Sequence, residues 1–339
     1  MRMRIAIAAA STVVLAVVSG TAHAGVTLDA VKKKGFIQCG VNTGLPGFSV
    51  ADENGVWKGI DVDVCRAVAA AIFGDSSKVK FTPLTAKERF TALQSGEIDL
   101  LSRNTTWTLT RDGGQGIVFT GITYIDGQGF LVKKKLGVKS ALKLDGATVC
   151  VGSGTTTELN LSDYFALHKM KFKSVVYDTS DETAKAFAAG RCDVLTSDQS
   201  QLYALRMKLP DPDGAVVLPE VISKEPLGPA VRQGDMEWFN VVRWTLFAML
   251  NAEELGVSSA NVEQMKESTN PDVRRLLGVE VVKQSLGVPD DWAYKVVKQV
   301  GNYGEIFERN VGAGSPLKIS RGQNALWTKG GLQYAPPIR

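Results

Sequence analysis

Three short polar stretches hold the residues that could do chemistry. SRNTTWTLTRD (residues 102–112) follows the apolar run 98–101 directly, and eight of its eleven residues are hydroxyls, amides or guanidiniums. Arg111 offers a planar fork of donors that matches a carboxylate two bonds at a time. Asn104, through its backbone carbonyl, and Thr106, through its hydroxyl, can accept from an ammonium. GSGTTTE (residues 152–158) opens a helix-like run, where free N–H groups and hydroxyls favour an anion such as a carboxylate. It lacks the Gly-Lys-Ser/Thr ending and the G-x-G-x-x-G spacing of phosphate loops. TSDQ (residues 196–199) places Asp198 after an apolar run, where it can supply fixed negative charge. Together these groups suit a zwitterion. Plainer readings remain open: Thr108 or Thr110 can cap a turn with Arg111 on the surface, and Asp198 can cap a helix starting at Gln199.

The elements that must position these groups are visible in a repeat. SGEIDLLS (95–102) and AGRCDVLT (189–196) share Gly-x-x-Asp-aliphatic-Leu-hydroxyl, and GFIQCGV (35–41) pairs with GATVCVG (146–152). Each is a helix or turn closed by glycine and followed by a strand that ends in polar groups, the unit of an α/β fold. Two similar α/β lobes follow. The four cysteines allow three connectivities; the repeat assigns one staple to each lobe, Cys39–Cys65 and Cys150–Cys192. Ligands of open α/β sheets bind outside the carboxyl ends of the strands, where all three polar stretches lie. The patterns predict strands at 36–41, 79–83, 98–101, 128–133, 148–152, 174–177 and 192–196. Helices are predicted at 62–73, 86–94, 157–169, 181–188, 199–207 and 235–252, with further helical runs near 261–277 and 291–311. WFNVVRWTLFAML in the 235–252 helix is apolar on more than one face, and with Arg243 inside it is predicted to be buried rather than membrane-spanning.

Composition sets the outer limits. Residues 1–24 have Arg2 and Arg4, an apolar run and then Ala22-His23-Ala24, the pattern of a secretory signal peptide cleaved after Ala24. Its removal lowers the net charge from +4 to +2, too little to suggest a nucleic-acid partner. His168 is then the sole histidine, expected at an exposed helix end, which removes most routes to a Ser-His-Asp or Cys-His site and any multi-histidine zinc site. No metal or other cofactor is expected. A chain of 339 residues also exceeds what one core supports.

The ordered segments LPGFSVADENGVWKGIDVDVCRAV, ERFTALQSGEIDLLSRNTTWTLTR, VGSGTTTE and GRCDVLTSDQ resemble the type II periplasmic solute-binding proteins of ABC amino-acid uptake systems, most of all the general L-amino-acid binders. The resemblance covers residues 25–232. It implies two α/β lobes joined by a two-strand hinge, lobe one from 25–124 and 231–339 and lobe two from 125–230, with a helical C-terminal extension. It further implies a periplasmic monomer that binds free L-amino acids of many kinds between its lobes and delivers them to an ABC permease. By the same resemblance Arg111 grips the ligand α-carboxylate with Thr155 and Thr156, while Asn104, Thr106 and Asp198 receive the α-ammonium. Phe48 covers the ligand, although Pro46-Gly47-Phe48 departs from the family's Pro-Phe pairing. Trp107 stands where the family has an aliphatic residue and is expected to pack. Phe48, Trp57, Arg89 and Thr196 hint at the side-chain pocket. The alternative is an exported enzyme on the same fold, such as a cyclohexadienyl-type dehydratase, with Glu158 or Asp198 as its acid.

Overall fold

Short apolar strands alternating with glycine-closed helices build two five-stranded sheets of one design in the computed structural model, which describes residues 25–284 and 286–339. The predicted leader, 1–24, lies outside the described residues. In the first sheet Val79–Leu84, Ile37–Asn42 and Leu100–Leu101 run parallel, followed by Ala230–Arg232, antiparallel to both its neighbours, and Ile117–Phe119 at the edge. In the second, Phe172–Tyr177, Ala147–Gly152 and Val194–Asp198 run parallel, followed by Gln128–Lys133, antiparallel to both neighbours, and Ala215–Val217. The two members of each repeated pair occupy matching places in the two sheets. The chain passes between the lobes through Tyr124–Asp126 and Glu225–Leu227, which pair antiparallel with Asp126 opposite Glu225.

Cys39 is bonded to Cys65 and Cys150 to Cys192, with Cα atoms 6.4 and 5.7 Å apart, the pairing the repeat predicts. The first ties a strand to the Ile60–Phe73 helix, and the second ties Ala147–Gly152 to the approach of Val194–Asp198. Each closes a loop of several tens of residues, so a Cys150→Ser/Cys192→Ser double variant is expected to lose roughly 3 to 4 kcal/mol of stability in the chain-entropy picture. Urea unfolding measures this; an unchanged midpoint contradicts it.

Helix Ile60–Phe73 is buried on nearly every face because it lies between the first sheet and the C-terminal helix Trp292–Val300. Helix Met236–Glu254 is likewise consumed by burial, and its Trp238 Nε1 donates to Asp99 O at 2.9 Å. No helix among the described residues is long and apolar enough to cross a membrane. The C-terminal extension packs on lobe one and reaches the crossing strands. Arg309 donates to Asp63 Oδ2 through Nε and Nη2 at 3.0 and 2.8 Å. The Asn324 amide accepts from Ile125 N–H at 2.7 Å and donates to Ile125 O at 3.0 Å. Ile125 stands opposite Pro226, which has no N–H to give, so its free backbone groups are met from the other side.

Candidate functional site

Beyond Leu100–Leu101 the chain turns sharply into the cleft between the lobes. Asn104 has φ 35°, in the left-handed region that asparagine tolerates better than most residues. Asp61, in the first turn of Ile60–Phe73, holds this turn: Oδ2 accepts from Asn104 N–H at 2.8 Å and Oδ1 from Ser102 Oγ at 3.3 Å. Burial pushes the Asp61 carboxyl up to about 7, against the bonds from Asn104 and Ser102. The Asn104 amide oxygen accepts from Asn42 Nδ2 at 3.0 Å.

Arg111 follows on the short helix Leu109–Gly114, whose start Thr108 caps by accepting from Arg111 N–H at 3.4 Å. The capping reading of this stretch therefore holds, yet Arg111 is buried rather than on the surface. Its Nη1 donates to Thr106 O at 2.9 Å and its guanidinium lies 5.3 Å from the centre of the Phe90 ring. Trp107 packs as expected, stacked on Phe119 with ring centres 5.7 Å apart.

In lobe two, Thr155 caps helix Thr156–Leu167, accepting from Glu158 N–H at 3.1 Å and donating to Gly152 O at 2.7 Å. Glu158 turns back to accept from Gly154 N–H at 3.0 Å. The first-turn N–H groups of a helix have no intrahelical acceptor and point outward. Asp198 sits at the N-cap position of Gln199–Arg206 but makes no capping bond. Its Oδ2 accepts from Gln201 Nε2 at 2.7 Å, while Oδ1, fully buried, has no partner. Burial raises the Asp198 carboxyl well above its ordinary range, reinforced by Asp126 and Glu225 and opposed by the Gln201 bond and Arg111. Loss of water raises Asp126 to about 6, against the bonds from Ser200 and Gly127.

Asn104, Thr106, Thr155, Thr156 and Asp198 all line this one cleft. Arg111 is not among the residues that line it and meets the lining through its bond to Thr106 O. Phe48 lies elsewhere: its ring is 1% exposed and meets Tyr124 edge-on at 5.3 Å in the core. Gly47, with φ 83°, makes the turn that the extra residue requires, and the carbonyls of Gly47 and Phe48 accept from Ile60 and Asp61 N–H at 2.9 and 3.0 Å. The segment thus caps a helix and feeds its ring inward. Trp57 packs on Phe81, while Arg89 and Thr196 do line the cleft. His168 is an exposed helix C-cap.

Several groups escaped the sequence reading. Arg89, in sequence only a hint of the side-chain pocket, is 2% exposed and its Nε has no partner. Arg103 lines the cleft and donates from Nε to Leu84 O at 2.9 Å. Glu225, 1% exposed on a crossing strand, accepts at Oε2 from Thr106 Oγ1 (2.6 Å) and Thr156 Oγ1 (2.8 Å). Its Oε1 accepts from Asn160 Nδ2 and Ser223 Oγ, both at 2.7 Å. A lone glutamate before a proline carries no local signal of such a role. The lobes also touch directly across the cleft, through Lys87–Asp178 at 2.8 Å and Lys208 Nζ to Gly44 O at 2.9 Å. No cluster of potential metal ligands occurs among the described residues.

The family model of bacterial extracellular solute-binding proteins, family 3, matches residues 37–260. The chain is 65% identical, over 100% of its own length and 99% of the relative's, to the putative amino-acid ABC transporter-binding protein YhdW of Escherichia coli. It is 60% identical, over 100% of both chains, to the general L-amino acid-binding periplasmic protein AapJ of Rhizobium johnstonii. A solved ABC transporter periplasmic binding protein from Brucella ovis with glutathione bound is 60% identical and superposes with a TM-score of 0.91, covering 92% of this chain and 99% of that one.

Proposed function

The chain belongs to the bacterial extracellular solute-binding proteins, family 3, and from that premise we propose that it captures free L-amino acids in the cleft and hands them to a membrane ABC permease. The observation that carries this reading is the partnerless, buried Oδ1 of Asp198, since native proteins rarely leave such an atom unsatisfied and an ammonium satisfies it. Asn104 O and Thr106 Oγ1 are the further acceptors of that ammonium. The α-carboxylate is assigned to Arg111 and to the helix start at Thr155 and Thr156. The Thr155 hydroxyl hydrogen goes to Gly152 O and that of Thr156 to Glu225, so the backbone N–H groups are the donors there. Arg89 and Thr196 bound the side-chain end, and broad tolerance of L-amino acids is part of the proposal.

Glu158, one acid the enzyme alternative would need, is spent on the helix start, which favours binding over catalysis. We also assign export with cleavage after Ala24, a monomeric periplasmic protein, lobe boundaries at 124/125 and 230/231, and capture by hinge closure. Ligand contacts drawn from both lobes stabilise the closed form and shift the population toward it. The Brucella ovis structure holds glutathione, whose γ-glutamyl end carries a free α-ammonium and α-carboxylate; γ-glutamyl peptides are therefore a second ligand class. The test is a thermal-shift screen of the mature chain against the twenty amino acids and glutathione. Ligands that bind only the folded form raise the melting temperature. A rise is expected with several amino acids; none with any of them overturns the reading.

A further inference from the structure

Glu225 does not itself line the cleft, yet it accepts from two hydroxyls that do. Thr106 belongs to lobe one and Thr156 to lobe two; their oxygens lie 3.2 Å apart, and each is within bonding distance of the same Glu225 Oε2. A carboxylate accepts and cannot donate, and each hydroxyl has a single hydrogen. With both hydrogens turned to Glu225, what the two threonines present to the cleft is lone pairs. Asn160 and Ser223 donate to Oε1, so the carboxylate is held by donors on both oxygens and cannot swing away.

We infer that Glu225 is a positioning residue: it fixes both hydroxyls, one from each lobe, as acceptors, so that the cleft selects an α-ammonium over an uncharged α-substituent. The inference rests on the amino-acid reading above and sharpens it, because it moves the Thr156 hydroxyl from the carboxylate to the ammonium side of the site. A glutamine at 225 keeps the shape but offers one acceptor and one donor group. With its Nε2 in the place of Oε2 both threonine hydroxyls must reverse, and with its Nε2 in the place of Oε1 it meets the Asn160 amide nitrogen donor to donor, so the hold on the two hydroxyls is weakened either way.

The test compares wild type with Glu225→Gln by calorimetry, using two pairs of probes: L-glutamate with L-2-hydroxyglutarate, and L-alanine with L-lactate. Melting temperature without ligand checks folding, and Glu225→Ala serves as a second variant if Glu225→Gln does not fold. The expected result is amino-acid affinity lower by about tenfold or more, with a smaller loss for the hydroxy acids, so that discrimination between the members of a pair shrinks. A merely structural role weakens both members of a pair alike. Wild-type affinity in the variant, or an equal loss for both members, overturns the inference and leaves amino-acid binding standing. Failure of the wild type itself to bind either amino acid counts against the underlying reading and removes this one with it.

Discussion

Replacing Asp198 with alanine is expected to take amino-acid binding below detection, a loss on the order of a hundredfold or more, because a desolvated ammonium loses its charged partner. Removing the charge while keeping the shape relieves the free protein. Asp198 sits buried beside Asp126 and Glu225 with one oxygen unpartnered, so Asp198→Asn is expected to raise the melting temperature without ligand while still abolishing binding. Opposite signs on stability and affinity separate a binding carboxylate from a structural one; wild-type affinity in Asp198→Ala ends the assignment.

Acidity follows from the same geometry. A carboxyl raised in the folded state binds more protons there than in the unfolded chain, so its contribution to stability is greatest at low pH and is lost as pH rises through the raised value. Asp198, Asp126 at about 6 and Asp61 at about 7 all act in this sense, in a window opening at the ordinary value of 3.8. Their share of the free protein's stability therefore declines from mildly acid to neutral pH. On the proposed assignment the ammonium is met by the ionised Asp198, so affinity is expected to move the other way and to fall as the solution becomes more acid. Calorimetry across this range in the wild type and in Asp198→Asn measures both trends, and the variant is expected to flatten the stability curve.

Arg111→Ala is the second large effect, again a loss of binding on the order of a hundredfold, since a buried guanidinium gripping a carboxylate is charge-assisted and two-pronged. Here stability moves down as well. Arg111 opposes the charges of Glu225 and Asp198 and donates to Thr106 O. Its removal leaves those charges less opposed and Thr106 O without this donor, so the free protein is expected to melt at a lower temperature. Arg111→Lys keeps the charge and loses the fork, and is expected to recover stability before affinity. Retained binding in Arg111→Ala shifts the carboxylate to Arg89 or Arg103, which line the cleft directly. The paired variants thus distinguish two residues that a binding assay alone cannot: both lose the ligand, and only Arg111→Ala also loses stability.

Much of this was legible locally. The rhyme of SGEIDLLS with AGRCDVLT placed two strands at matching sites in two sheets, and with them both disulfides. Glycine-closed helices and apolar strands are short-range patterns, fixed by neighbours a few residues apart. Asn104, Thr106, Thr155, Thr156 and Asp198 line one cleft because they follow strand ends, and the ends of parallel strands gather at one edge. Phe48 was not placed, because one inserted glycine changes a turn and turns a ring from cleft to core, and no periodicity reports φ at one residue.

What the sequence determined by itself was the fold grammar and the identity of the polar loops. The tertiary structure alone decided which of their atoms remain free. Glu225 stands 119 residues from Thr106 and 69 from Thr156, and Asp61 stands 43 from Asn104. A hydroxyl has one hydrogen and a buried carboxylate must be met, so the direction in which each group can act depends on partners far along the chain. Asp198 reads locally as a helix cap; only the packed cleft shows that it makes no capping bond and keeps a buried Oδ1 without a partner.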